Sequence, residues 1–349
     1  MANLKARNVF IDTEVFEASN FNFHSTHLSE LVRLAQSNFV KVFLTTITLG
    51  EVHAHIVEKI NEASSKLKKL RSEEGRILQN LPNYEVVLKR MDRQKCIDEV
   101  EAQFKEFLAN AKAAVIDTRS VDVEHIFRDY FGLKPPFGEG RKKEEFPDAF
   151  AQHALSNWCE QNKCDMYVIS ANRDWLTPKN HLIPLAKLQE FLDAAVKDEA
   201  GEELAAKVLG IYARHLDKVE KAIAEAFKDS EFYTSDVDGD VNDVTIKRIK
   251  IDEPFVIEVD ETSATISVDV DVDYVADASY LNDDEGIWDG EDHVWSYRPT
   301  AYADAEESEQ FEAELEVTYD LSSEDSFDVS CTISKTFRVT VLPTDYELK

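Results

Sequence analysis

Four acidic residues stand far apart in this chain, each where a short hydrophobic run ends. Asp12 closes Val9-Phe10-Ile11 and is followed by Thr13. Glu51 follows the run from Val42 to Gly50, Asp148 sits within Glu144-Glu145-Phe146-Pro147-Asp148-Ala149-Phe150, and Asp174 follows Val168 to Arg173. In an α/β sheet the carboxyl ends of the strands open onto one crevice. Carboxylates from four such segments are therefore expected to meet there. Oxygen-only clusters suit Mg²⁺ or Mn²⁺, which bind carboxylates, retain waters and serve phosphate chemistry. The competing reading is that each acid is a helix-start charge favoured by the helix dipole.

The elements that must position these residues can be read from hydrophobic periodicity. Residues 8–12 read as a short buried strand, residues 28–36 as a helix and residues 40–48 as a second strand. A long helical stretch opens at residues 49–52 and is broken at Pro82; a second helix follows over residues 84–114. Residues 113–117 look like a third strand, 123–130 a short helix, and 132–143 a loop punctuated by Pro135, Pro136 and glycines. Residues 150–160 form a helix that Pro147 and Asp148 can start. Residues 166–170 and 182–184 are further strands, and 185–195 a helix. Strands alternating with helices argue for a parallel, three-layer α/β sheet.

After a joint at residues 197–203 and a helix over 204–227, the pattern changes. Residues 244–251, 264–274, 310–318 and 329–341 alternate with period two, which predicts an antiparallel β module with one wet face. The expected organisation is an α/β domain over residues 1–196 with a helical insertion at about 55–112, a connecting helix over 197–230, and a β-rich domain over 231–349. Charge follows the same division. The 349-residue chain carries 39 basic and 69 acidic residues, net −30. Residues 231–349 hold 33 acidic and 7 basic residues, net −26, against −4 for the first 230. A segment that acidic repels nucleic acid.

The four acidic segments, in their order, resemble the PIN-domain superfamily of ribonucleases. The matching features are the opening strand with Asp12-Thr13, the helix starts Thr48-Leu49-Gly50-Glu51 and Phe146-Pro147-Asp148-Ala149, and the turn Ser170-Ala171-Asn172-Arg173-Asp174-Trp175. The resemblance covers about residues 5–195; Pro135-Pro136-Phe137 and Glu144 to Asp148 look like a bacterial branch with a long helical insertion. It implies a PIN-like three-layer parallel sheet and a nuclease that cuts RNA with Mg²⁺ or Mn²⁺, in toxin, RNA-decay or phage-defence settings. It also implies that Asp12, Glu51, Asp148 and Asp174 are metal ligands or metal-shell residues, with Ser170 as the hydroxyl of the last turn and Thr13, Glu145 and Asn172 in support. Asp12 and Asp148 are expected to bind metal directly, whereas Glu51 ligates or orients water. The chain departs from the family in two places. Glu14 stands where Asn is usual, adding a carboxylate or merely a helix-start charge. Asn172 stands where Asp is common, leaving open whether Asn172 or Asp174 faces the metal.

Phosphodiester hydrolysis needs a nucleophilic water and a neutralised leaving oxygen, and one or two divalent ions provide both. Carboxylates crowded without a metal raise each other's pKa. Arg141, Lys142 and Lys143 either hold RNA phosphates beside the metal or form a solvated loop. Lys66, Lys68, Lys69, Arg71 and Arg76 are either a basic wall or an ordinary charged helix. His53 and His55, two apart on a helix, face different ways and do not share a metal. Trp175 is read as core, the alternative being a base-stacking platform.

Of the four cysteines, Cys159 and Cys164 have no second close pair to complete a zinc site; free buried thiols are expected, and a reducing compartment argues against a disulfide scaffold. No run approaches the roughly 18 apolar residues of a membrane span, and the N-terminus lacks an apolar signal core, so the cytoplasm is the default. The expected activity is metal-dependent RNA cleavage. The alternative is a PIN-like binding or regulatory subunit with weak or no catalysis. The acidic β domain is expected to dock a partner protein, to self-associate, or to act as a nucleic-acid mimic.

Overall fold

The computed structural model describes residues 4–81, 90–138, 145–172, 175, 181–235 and 237–341. It divides into two compact units, Met1–Ala195 and Val196–Lys349.

The first unit is built on five parallel strands: β1 (Asn8–Ile11), β2 (Lys41–Thr45), β3 (Ala114–Ile116), β4 (Met166–Ile169) and β5 (Leu182–Leu185), in the order β3-β2-β1-β4-β5. Central β1 sets Phe10 opposite Phe43 on one side and Val168 on the other. Val9, Phe10 and Ile11 are fully buried, as a strand covered on both faces by helices requires. Pro184 is tolerated because β5 lies at the sheet edge.

Helices α1 (Thr13–Ala18), α2 (Thr26–Gln36), α3 (Thr46–Lys69), α4 (Arg93–Asn110), α5 (Val123–Phe131), α6 (Phe146–Asn162) and α7 (Leu188–Ala200) connect and flank the strands. The stretch expected to be strand over 40–48 gives up its last three residues to α3. The Thr45 hydroxyl accepts the Thr48 N–H at 3.0 Å, and this N-cap ends the strand and starts the helix. Similarly α6 starts four residues earlier than its apolar pattern suggested, with Pro147 in its first turn, where a missing N–H costs nothing. The two long helices α3 and α4 lie against each other. Phe104 and Phe107 of α4 meet Phe16 of α1 edge-on, with ring centroids 5.4 and 5.6 Å apart. The helical insertion is thereby fastened to the helix that Asp12 caps. The start expected for its second helix, residues 84–92, lies largely outside the described residues, which show helix from Arg93.

The second unit contains α8 (Glu202–Arg214), α9 (Leu216–Lys228), β6 (Phe232–Thr234), β7 (Gly239–Ile251), β8 (Phe255–Val259), β9 (Ser263–Leu281), β10 (Ile287–Asp289), β11 (Val294–Tyr297), β12 (Thr300–Asp320), β13 (Ser323–Thr332) and β14 (Phe337–Val339). Its main sheet is antiparallel, ordered β13-β12-β9-β7, with β8 also on β9; β14 pairs with β6 in parallel. Alternate β9 residues from Ala264 to Tyr280 point into the core. The other face of β9 carries Asp269, Asp271, Asp273 and Asp277, of which Asp271 and Asp273 pair with Lys250 and Arg248 of β7.

The single connecting helix expected over 197–230 is corrected to two. The chain turns at His215, whose ring stacks on Phe327 at 4.8 Å. Val208, Ile211 and Tyr212 of α8 and Val219, Ile223 and Phe227 of α9 then enter the same apolar cluster as the strands. One straight helix rises about 1.5 Å per residue and would carry half of that stripe away from the sheet; folding back buries both halves. Among the described residues no helix is long and apolar enough to cross a membrane.

Candidate active site

β1 and β4 are neighbours, so their ends bring Asp12 and Ser170 together although 158 positions separate them in sequence. Asp12 is buried and caps α1: its Oδ1 accepts the Thr13 N–H at 2.9 Å, while its Oδ2 accepts the Ser170 hydroxyl at 2.7 Å. Both oxygens are thus oriented by donors that leave further lone pairs free.

Two arms extend from this centre. On one side the Thr13 hydroxyl donates to Glu51 Oε2 at 2.9 Å, which ties the second turn of α3 to the start of α1. On the other, the Asn172 N–H donates to Ser170 Oγ at 3.2 Å and the Asn172 Nδ2 donates to Asp148 Oδ2 at 2.8 Å. A continuous network therefore runs Glu51–Thr13–Asp12–Ser170–Asn172–Asp148. Each acid comes from a different element: the end of β1, α3, and the first turn of α6.

The electrostatics follow from crowding. Burial pushes the Asp12 carboxyl up to about 6, against the hydrogen bonds from Ser170 and Thr13 and with the help of the Glu14 and Glu51 charges. Burial also pushes Asp148 up to about 7, reinforced by the charges of Asp12, Glu145 and Glu51. Glu51 is raised chiefly by burial. The charge of Glu145, at the residue preceding α6, thus bears on the same cluster. Such shifts are what several carboxylates sharing one desolvated place produce. An all-oxygen donor set of this kind fits Mg²⁺ or Mn²⁺, whose charge would remove the repulsion that raises these pKa values.

Glu14, where the alternatives were an extra carboxylate or a helix-start charge, accepts the Ala171 N–H through Oε2 at 3.0 Å. It ties α1 to the turn after β4. Trp175 is buried and stacks on Phe10 at 5.4 Å, beneath the site. Its indole N–H makes no full hydrogen bond among the described residues, yet lies near enough to Asp148 to lower its pKa against the larger opposing effects. Asp174 and the basic run Arg141, Lys142 and Lys143 lie outside the described residues. His53 pairs with Glu101 at 2.5 Å and His55 pairs with Glu17, so the two rings are engaged separately. A group that sequence reasoning missed, His125, Asp129 and His153, gathers between α5 and α6. Its only sequence signal is the four-residue spacing of His125 and Asp129 on one helix face.

Residues 9–175 match the family described as PIN domain. Comparison with curated proteins and with solved structures returned no match. The matched segment starts on β1 and ends at Trp175, spanning the parallel strands β1–β4 and every acid of the network. With this match over residues 9–175, its parallel sheet and its flanking helices, it is the N-terminal unit that belongs to the PIN-domain superfamily.

Proposed function

We propose that the N-terminal unit is a metal-dependent endoribonuclease, with Asp12, Glu51, Asp148 and Asp174 as its catalytic and metal-holding residues. PIN domains are nuclease-type folds that typically use divalent metals. The observation that carries the proposal is the convergence of Asp12, Glu51 and Asp148 into one hydrogen-bonded network with pKa values raised to about 6 for Asp12 and about 7 for Asp148. When bound there, Mg²⁺ or Mn²⁺ supplies Lewis acidity towards the phosphate and acidifies water. The chain's own contribution is position. Ser170 and Thr13 fix the Asp12 carboxylate, Thr13 steers Glu51, and Asn172 steers Asp148, so the donors are set before substrate arrives. Glu145 adds negative charge at the mouth of α6. Arg141, Lys142 and Lys143 would take the RNA phosphates on either side of the cut.

In this reading the acidic β-rich unit, net −26 over residues 231–349, serves a protein partner, self-association or restraint of the nuclease rather than RNA binding. A toxin or antiviral-defence setting rests on the family resemblance alone, and the cytoplasm is this reading's default compartment.

The test is Mn²⁺-dependent cleavage of a mixed RNA pool by the wild-type protein, Asp12→Asn and Asp148→Asn. Cleavage by the wild type alone supports the proposal, and equal cleavage by all three refutes it. A second reading, a binding subunit with little catalysis, is favoured by one observation: Asn172 puts a neutral amide against Asp148. It predicts Mn²⁺-dependent RNA binding without product.

A further inference from the structure

Outside the carboxylate network, α5 and α6 bring together three side chains of a different chemical kind. His125 and Asp129 lie one turn apart on α5, and His153 faces them from α6. Both imidazole Nε2 atoms approach the same oxygen, Asp129 Oδ2, at 3.8 Å from His125 and 3.1 Å from His153. The two rings are 4.7 Å apart at their centroids, and one ligand atom from each of the three residues lies within 4.8 Å of the others. Around a tetrahedral ion with ligand bonds of about 2.0–2.1 Å, neighbouring donor atoms are about 3.3 Å apart. The observed spacings are therefore reached by small side-chain rotations rather than by moving a helix.

The Asp129 side chain is largely buried, and its other oxygen, Oδ1, accepts Lys134 Nζ at 3.3 Å. Burial alone would raise its pKa, but the hydrogen bonds from His153 and Lys134 and the neighbouring charges bring it below the usual carboxylate range. It is thus an anion with one oxygen turned to the imidazoles and one held by an outer partner, the support that metal-ligating carboxylates commonly have. An ordinary ion-pair cluster explains Lys134 and one histidine. It does not explain two imidazoles converging on one oxygen, where their protonated forms would repel each other.

We propose that His125, Asp129 and His153 form a binding site for a divalent transition ion of the Zn²⁺ type, distinct from the Mg²⁺ or Mn²⁺ cluster. Nitrogen donors select Zn²⁺ over the harder ions. His153 lies five residues beyond Asp148 on α6, about 7.5 Å along the helix axis, so the two clusters do not share ligands. The His125 side chain is 48 % exposed, which gives the ion an entry path and leaves a position for water. Its role is to staple α5 to the helix that carries Asp148.

The test is titration of the full chain with Zn²⁺ in excess Mg²⁺, read by competition with a chromophoric chelator, and with Co²⁺ read by its visible d–d bands. The expected result is one Zn²⁺ bound by the wild type and by Asp148→Asn. Binding should weaken at least about tenfold in His125→Gln/His153→Gln, where glutamine keeps a donor for Asp129 and so preserves the fold. Zn²⁺ should raise the melting temperature of the wild type but not of the double variant. Absence of a Zn²⁺ equivalent in the wild type, or equal binding and equal Co²⁺ bands in the histidine variant, would overturn the proposal. So would loss of the ion in Asp148→Asn alone.

Discussion

Asn172 donates its side-chain amide to Asp148 Oδ2 at 2.8 Å, while its backbone N–H holds Ser170 Oγ at 3.2 Å. One residue thereby orients the acid of α6 and, through Ser170, the acid of β1. A carboxylate is common at this position in the family that the chain resembles. Here an amide replaces repulsion against Asp148 with a hydrogen bond. Asn172→Asp is therefore expected to lower stability in chelator by about 1–3 kcal/mol and to tighten Mn²⁺ binding. Thermal melts with EDTA and with Mn²⁺ read both; unchanged melts in each would show that position 172 is uncoupled from the cluster.

Removing the charge of Asp148 has the opposite sign. Asp148→Asn keeps an oxygen for Asn172 but ends the repulsion with Asp12, Glu145 and Glu51. The metal-free protein is expected to gain about 1–3 kcal/mol, while RNA cleavage falls by about 10²-fold or more. A denaturant series gives the first quantity and single-turnover cleavage the second. A variant that loses both stability and activity would contradict the repulsion argument.

The pH dependence follows from the same two carboxyls. In the folded chain they titrate at about 6 for Asp12 and about 7 for Asp148, against 3.8 when unperturbed. Between pH 4 and 7 the folded state therefore binds more protons than the unfolded state, and stability falls as pH rises through that window. Each tenfold rise in a carboxyl's proton affinity on folding corresponds to about 1.4 kcal/mol. In EDTA the wild type should lose more stability from pH 4 to 7 than Asp12→Asn/Asp148→Asn does. Saturating Mn²⁺ should reverse that difference, because the ion binds the deprotonated form. Parallel curves for the two proteins in EDTA would refute the raised pKa values.

Ser170→Ala removes the donor to Asp12 Oδ2 and the acceptor for Asn172. A buried carboxylate oxygen left without its donor costs about 1–3 kcal/mol. The loss is expected to be larger at pH 8 than at pH 5, where Asp12 carries a proton. A pH-independent loss measured by chemical denaturation would point to packing alone.

Truncation within the second unit should depend on where α8 and α9 go. A chain ending at residue 230 leaves Val208, Ile211, Tyr212, Val219, Ile223 and Phe227 without the strands that cover them, and is expected to aggregate. A chain ending at Gly201 avoids this and should remain monodisperse by light scattering. If the acidic unit restrains the nuclease, that shorter chain cleaves RNA faster than the full one; equal rates would remove the restraint idea.

Asp12, Glu51 and Asp148 were legible in the sequence because each follows a local signal: a buried apolar run, a helix start, a proline in a first turn. Caps and hydrophobic periods act over a few residues and need no knowledge of the fold. The same signals showed the alternating strands, though not the true reach of β9 and β12, at 19 and 21 residues, nor the break at His215. Those depend on what the far face meets. The hydrogen bonds that make the acids one cluster were decided only by tertiary structure. Ser170 reaches Asp12, and Asn172 reaches Asp148, because β4 lies beside β1 and α6 starts against the turn that follows β4. So were the raised pKa values, which measure desolvation and distance between charges, and the meeting of His153 with His125 and Asp129. Strand order and helix packing set those distances, and no property of a short stretch of sequence contains them.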